Sequence, residues 1–406
     1  MNERPDRAMY QPSPQQKAED ERILAAIVTT LNSMVDALVP ECLPRAVKTG
    51  GRFVIGSIEG EPGESMSIWR NSGIWKDYNP GTRRETGDML HLVTHCLFGG
   101  NRGEAIRHYK SAFGYDDRDP SRIEKKLQQV KEAQADQERA QSAEDQKKRG
   151  RAAALFFGGD HGPSPFIPGT PADACLRRRG IDSAAIAART GKRIVPRALR
   201  YRPDVWCDIR RDKFPAMLGG IFDSAGQFVA VHRTYLDIAG WDHAHRTGRV
   251  VALKVSTEKD PKARRIVPPD WDGPKKSYKM SMGRFGGMGA SIPLWKGESS
   301  QSLRHCAPGE PVWISEGIED ALSWVMKRPD CRVHAAVSLS NMGGMIWPQQ
   351  IGPVTLLMQN DPEGSDAVAS LERVIAKQQA GGVQVMLQRP PRDVKDWNEL
   401  LMKDMA

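Results

Sequence analysis

The stretch from Pro311 to Leu401 alternates short apolar runs with amphipathic runs, and that alternation leaves few folds open. Strands are expected at 312–315, 333–336, 354–358 and 383–387, with helices at 319–327 and 365–378 between them. Strands alternating with helices build a parallel sheet, because each parallel connection needs a long crossover. Two of the strands run into an acid: Val312-Trp-Ile-Ser-Glu316-Gly317 and Val354-Thr-Leu-Leu-Met-Gln359-Asn-Asp361-Pro-Glu363-Gly364. Open α/β sheets bind ligands at the carboxyl ends of their strands. Carboxylates converging there suit Mg²⁺ or Mn²⁺, which share their shell with phosphate oxygens. A third acid, Asp396, stands in Lys395-Asp396-Trp397-Asn398. A single acid at a helix start can be plain complementation of the helix dipole. Three at the right ends of a βαβ series are more specific.

The chain has 406 residues, room for two or three domains, and a formal net charge of +9. A clustered basic excess favours polyanionic partners, since Lys and Arg release counterions from phosphate backbones. Solubility is the plainer reading of the same charge. No apolar run approaches the ~18 residues of a membrane span, so no membrane partner is expected. Residues 1–19 are polar and Pro-rich, expected as a disordered tail without the apolar core of a signal peptide. The six cysteines are scattered with no C-x-x-C pair, which fits reduced thiols in a cytoplasmic protein.

Residues 20–118 are expected to form a small α+β module. Ile23, Ile27, Leu31, Val35 and Leu38 follow a helical period, then strand-like runs span 50–79, and helix returns over 86–109. Residues 119–152 are almost all charged, Gln or Ala, and read as an exposed linker helix. A basic α+β module follows over 153–300. Its arginines, among them Arg177 to Arg179, Arg202 and Arg233, interleave with Tyr201, Trp206, Tyr235 and Trp241. That mixture offers stacking beside phosphate neutralisation. Residues 215–236 read as a hairpin turning at Asp223–Gly226. The α/β module occupies 308–403. No G-x-x-x-x-G-K-[ST] sequence occurs, so any helicase is expected to be a separate protein.

Glu316-Gly-Ile-Glu-Asp-Ala, then Asn360-Asp361-Pro-Glu-Gly364, then Lys395-Asp396-Trp-Asn398, resembles a Toprim domain, the metal-binding fold shared by bacterial-type primases, topoisomerases and some nucleases. The hairpin, and the basic stretch Pro274-Lys-Lys276-Ser-Tyr-Lys279, resemble what precedes that domain in primases of phages, plasmids and other mobile elements. Trp75-Lys-Asp77 followed by Gly87-Asp88 resembles the closing signature of their zinc-binding module, although the Cys and His ligands of that module are missing. The resemblance implies a multidomain α+β and α/β primase making short RNA primers on single-stranded DNA from nucleoside triphosphates. It implies Glu316, Asp361 and Asp396 as catalytic metal ligands, with Glu363 in support. It implies His232, Arg233, Lys276, Lys279, Arg202 and Trp75 as nucleic-acid or nucleotide contacts, Mg²⁺ or Mn²⁺ as cofactor, and no zinc. Arg233 has an internal salt bridge as its alternative role, and the N-terminal module that of a structural cap.

One departure stands out. Where the resemblance expects the first acid of a D-x-D pair, this chain has Gln359. A neutral ligand lowers cation affinity. With the missing zinc ligands, this keeps open an attenuated single-stranded-DNA-binding or replisome adaptor protein; separately, the same metals with water as nucleophile would make a metal-dependent Toprim nuclease.

Overall fold

The computed structural model describes residues 13–77, 86–117, 119–159, 162–190, 197–258, 263–362 and 364–406. It divides into two compact units, Met1–Ser142 and Ala143–Ala406. Among the described residues, no single helix is long and apolar enough to cross a membrane.

In the first unit, helix α1 spans Pro14–Ser33 and α2 spans Val35–Cys42. The first helix starts six residues ahead of residue 20, so residues 14–19, expected as part of a disordered tail, are helical. The Ser13 hydroxyl oxygen accepts from the Gln16 backbone amide, the Gln16 side-chain oxygen accepts from the Ser13 backbone amide, and Pro14 opens the first turn. This capping box lies in a stretch without apolar periodicity. Strands β1 (Val47–Thr49), β2 (Arg52–Ile55), β3 (Met66–Trp69), β4 (Trp75–Asp77) and β5 (Thr86–Gly87) form an antiparallel meander. Helices α3 (Met89–Leu97) and α4 (Arg102–Ala112) complete the unit.

The Trp75, Gly87 and Asp88 signature closes this core. Trp75 is 0 % exposed and packs with Ile27, Leu31, Met66, Ile68 and Leu90. Its indole N–H donates to the Asp88 carbonyl at 2.9 Å. Asp88 caps α3 by accepting from the His91 amide at 2.8 Å. A Cβ at Gly87 would stand 2.8 Å from the Trp75 ring, so the close approach requires glycine. Trp75 is therefore a core residue, out of reach of a nucleic acid.

Helix α5 (Pro120–Ala153) follows the expected linker. Ile123 and Leu127 bury against the first unit's core, while most of the remaining surface is exposed.

The second unit takes in the end of α5 and a π-helical turn at Ala154–Gly158, followed by α6 (Pro171–Arg177) and α7 (Ser183–Thr190). Strands β6 (Leu199–Cys207), β7 (Asp212–Phe222), β8 (Phe228–Asp242) and β9 (Thr247–Ala252) follow. A small sheet holds β10 (Lys254–Ser256), β11 (Ile266–Val267) and β12 (Lys275–Ser277), and β13 (Lys279–Met282) pairs with β8. The β7–β8 hairpin turns as expected: the Asp223 carbonyl accepts from Gly226, whose φ of +79 suits glycine.

The last sheet has the order β14-β16-β15-β17-β18, with β14 at Ile292–Lys296, β15 at Val312–Ser315, β16 at Arg332–Ala335, β17 at Val354–Leu357 and β18 at Val385–Gln388. All its pairings are parallel except that of β14 with β16. Helices α8 (Ile318–Lys327), α9 (Leu339–Met342), α10 (Asp366–Ala380) and α11 (Trp397–Asp404) complete it. Trp397 on α11 meets Trp324 on α8 edge to face, with ring centroids 4.7 Å apart. Gln378 on α10 is buried, and its amide donates to the carbonyls of Met342, Gly343 and Met345 while its oxygen accepts from Trp347.

Trp75→Ala should destabilise the first unit by about 3–5 kcal/mol, the usual range for deleting a buried aromatic ring. Urea unfolding of wild type and variant measures this. A loss below about 1 kcal/mol would show that the ring is not a core element.

Candidate active site at the strand ends of the C-terminal sheet

Adjacent parallel pairing places the two acids expected from sequence at one edge. Ser315 on β15 lies opposite Leu357 on β17, so Glu316 and Asp361 leave the sheet at the same end. Both are half-buried. Burial, then the charges of Asp361 and Asp320, push the Glu316 carboxyl above its usual range, against opposing pulls from Lys279 and the Leu339 amide.

The backbone beside Glu316 is strained. The Val337 amide donates to the Glu316 carbonyl at 2.9 Å, and Val337 has a φ of 74. A β-branched residue in the left-handed region costs of order 1–3 kcal/mol, and such strain gathers at functional sites.

Asp320, in the first turn of α8, belongs to the same cluster, although the sequence reading gave it no role at the site. It is 5 % exposed. Burial raises its pKa, as do the charges of Asp396 and Glu319, while hydrogen bonds from Gln359 and the Asn398 amide pull the other way. The Gln359 side-chain amide donates to Asp320 Oδ2 at 2.8 Å, and the Asn398 amide to Oδ1 at 3.3 Å. Asn398 also donates to the Arg179 carbonyl and the Ser323 hydroxyl. Asp396 caps α11, accepting from the Glu399 amide at 2.8 Å. Glu363 lies outside the described residues.

A basic group flanks the acids. Lys279 Nζ donates to both Glu319 oxygens at 3.1 Å. Burial alone would raise Glu319, but Lys279 and Arg179 outweigh it and bring the pKa to about 2. Lys254 is depressed by burial and then by the charges of Arg179 and Lys279, which places three cations close together. Lys254 sits in a segment whose sequence shows no clear period, so only the fold brings it here.

The other expected contacts separate. Side chains alternate faces along β8. His232 therefore shares a face with Thr234, while Arg233 turns the other way, to the Tyr235 hydroxyl at 3.2 Å. Arg233 is buried, its Nε lacks a hydrogen-bond partner, and no ion pair holds it among the described residues. His232 is pushed down to about 4 by burial, then Lys279, so it is neutral at pH 7 and offers a phosphate no charge. Arg202 is buried against Asp204 and the Gly162 carbonyl. Lys276 remains exposed. Among the described residues, no three His, Cys, Asp or Glu side chains are grouped to hold a metal by themselves.

Comparison with known families agrees with this geometry. Residues 311–406 match the family model described as Toprim domain. The chain contains a Toprim domain. It lies on the sheet that carries Glu316 and Asp361. Residues 146–257 match a second family, described as a domain of unknown function (DUF7146). A search of curated proteins finds no match. Among solved structures, the primase fragment of the bacteriophage T7 primase-helicase is similar at 14 % identity, over 57 % of this chain and 70 % of that one, with a TM-score of 0.33. The Escherichia coli primase catalytic core is similar at 14 % identity, over 57 % and 69 %, with a TM-score of 0.31.

The raised Glu316 pKa has a signed consequence. Above its folded value, the ionised carboxylate lowers stability; below the unfolded value, the protonated group does not. In metal-free protein, Glu316→Gln should therefore raise the melting temperature at pH 8. That gain should vanish as the pH falls toward about 4.5, near the ordinary glutamate pKa. Melting curves across this range check it. A variant less stable than wild type at pH 8 would show that Glu316 is held by attraction instead.

Proposed function

We propose that the chain is a primase-type nucleotidyltransferase that makes short oligonucleotides on single-stranded DNA. The observation that carries this reading is the placement of Glu316 and Asp361 on neighbouring strand ends of a Toprim domain, with Lys279 acting on Glu316 and Arg179 and Lys254 grouped around Lys279 and Glu319. Toprim domains generally bind divalent cations. The donor set fits Mg²⁺ or Mn²⁺, because such ions take one or two carboxylates and complete their shell with phosphates and water. Glu316 is pushed upward first by burial and then by the charges of Asp361 and Asp320, and a cation there would offset that second part. When bound, the ion would polarise the reacting phosphate and the attacking hydroxyl.

The chain's own groups have separate tasks. Glu316 and Asp361 hold the cation. Lys279, Lys254 and Arg179 neutralise triphosphate charge, with Lys279 shared between Glu319 and the incoming phosphates. Exposed Lys276 meets the template backbone. Asp320 and Asp396 act from behind, setting the potential and fixing α11. The working partners are single-stranded DNA and nucleoside triphosphates, with a replicative helicase supplied by another protein.

Gln359 favours a second reading. Its amide uses one Asp320 oxygen as an acceptor, and it adds no charge to the site. A site weakened in this way would bind DNA without extending it, as an adaptor does. Purified protein incubated with single-stranded DNA, Mg²⁺ or Mn²⁺ and labelled nucleotides separates the two. Short products are expected, falling at least about 100-fold in Glu316→Gln, the scale of losing a main electrostatic group, while DNA binding persists. Products unchanged in that variant would sink the enzyme assignment. Absence of products in wild type, with strong synthesis in Gln359→Asp, would establish an attenuated enzyme. Absence in both would leave the adaptor.

A further inference from the structure

A second site lies on the far edge of the C-terminal sheet. A cavity of about 440 Å³ runs beside β14, between that strand and the Asp223–Gly226 turn of the β7–β8 hairpin. This volume falls in the range of small-molecule sites. Glu316, Asp320, Asp361 and Asp396 are not among its walls. Strand β16 separates β14 from β15.

The chemistry of the walls is specific. Arg197, Lys296 and Arg304 line the cavity and are exposed, and among the described residues none of the three forms an ion pair. Among the described residues Asp223 is the one acid on the walls, and its carboxylate already accepts from the Gln227 amide. Arg332 also lines the space, but Glu310 neutralises it at 2.7 Å. Half-buried Phe222 and Leu303 give the walls apolar surface, and buried His334 lies beside Ser291. His334 is fully buried and held neutral by that burial, with a ring nitrogen 2.9 Å from the Ser291 hydroxyl. Apolar wall surface beside exposed cations selects a ligand of matching polarity: a flat or apolar body carrying a phosphate.

We propose that this cavity binds a phosphorylated small molecule with an apolar body, of the nucleoside phosphate class, separately from the acidic site. Arg197, Lys296 and Arg304 hold the phosphate, and the wall of Phe222 and Leu303 holds the body. The proposal does not depend on the polymerase reading, because no wall residue is a cation ligand there.

Titration calorimetry of the full chain in EDTA tests it, with ATP, GTP and inorganic phosphate as probes. One saturable nucleotide site is expected, with phosphate alone weaker. Reversing two exposed rim charges, in the double variant Lys296→Glu and Arg304→Glu, should weaken nucleotide binding at least about tenfold. Its circular dichroism should match wild type. Glu316→Gln should bind as wild type does, which separates this site from the acidic one. Binding unchanged by the rim reversal, binding lost in Glu316→Gln, or no binding of any probe would overturn the proposal. So would displacement of ATP by a thymidine oligonucleotide that binds more tightly, since the cleft would then be a path for a strand.

Discussion

Parallel pairing of β15 with β17 is the constraint on which the site rests. With Ser315 opposite Leu357, both chains release their next residues from one edge, and the acids that follow meet as like charges. The fold does not remove that repulsion. It surrounds it, with Lys279 and the Leu339 amide favouring the ionised form of Glu316 and the Gln359 amide favouring that of Asp320. Two helices then lock the arrangement. Asn398 joins α11 to α8 and to the Arg179 backbone, and the Trp324 and Trp397 rings fill the space behind. Strain at Val337 adds to this, since a residue held in the left-handed region persists only where its surroundings over-determine it.

The C-terminal architecture was legible because strand and helix periods differ so plainly there. Buried strands such as Val354–Leu357 read as unbroken apolar runs, and the sharp stop at an acid marks the end that matters. Boundaries agreed within a residue or two. The start of α1 was less visible, because its signal is Ser13 and Gln16 bonding to the backbone, not a hydrophobic pattern.

Side-chain roles were harder to read than elements. Arg202, Arg233 and Trp75 carry the chemistry of nucleic-acid contacts, but the fold turns each inward. Residue type is written in the sequence, whereas the face of a strand is set by register, and β8 sends His232 and Arg233 opposite ways. Asp320 and Lys254 illustrate the reverse. Asp320 looked like an ordinary first-turn acid of a helix, and Lys254 stood in an aperiodic stretch. Their meaning depends on Gln359, Arg179 and Lys279, residues distant in sequence.

The hydrogen bond from Gln359 to Asp320 has a bearing on timing. A carboxylate at position 359 would face Asp320 as a second negative charge, and the pair would rest together only after a cation or proton arrived. An amide needs neither. It fixes the buried aspartate from the moment the chain folds. This corner of the site is thus assembled in advance of any ion, and its shape does not wait on the ionic conditions around it.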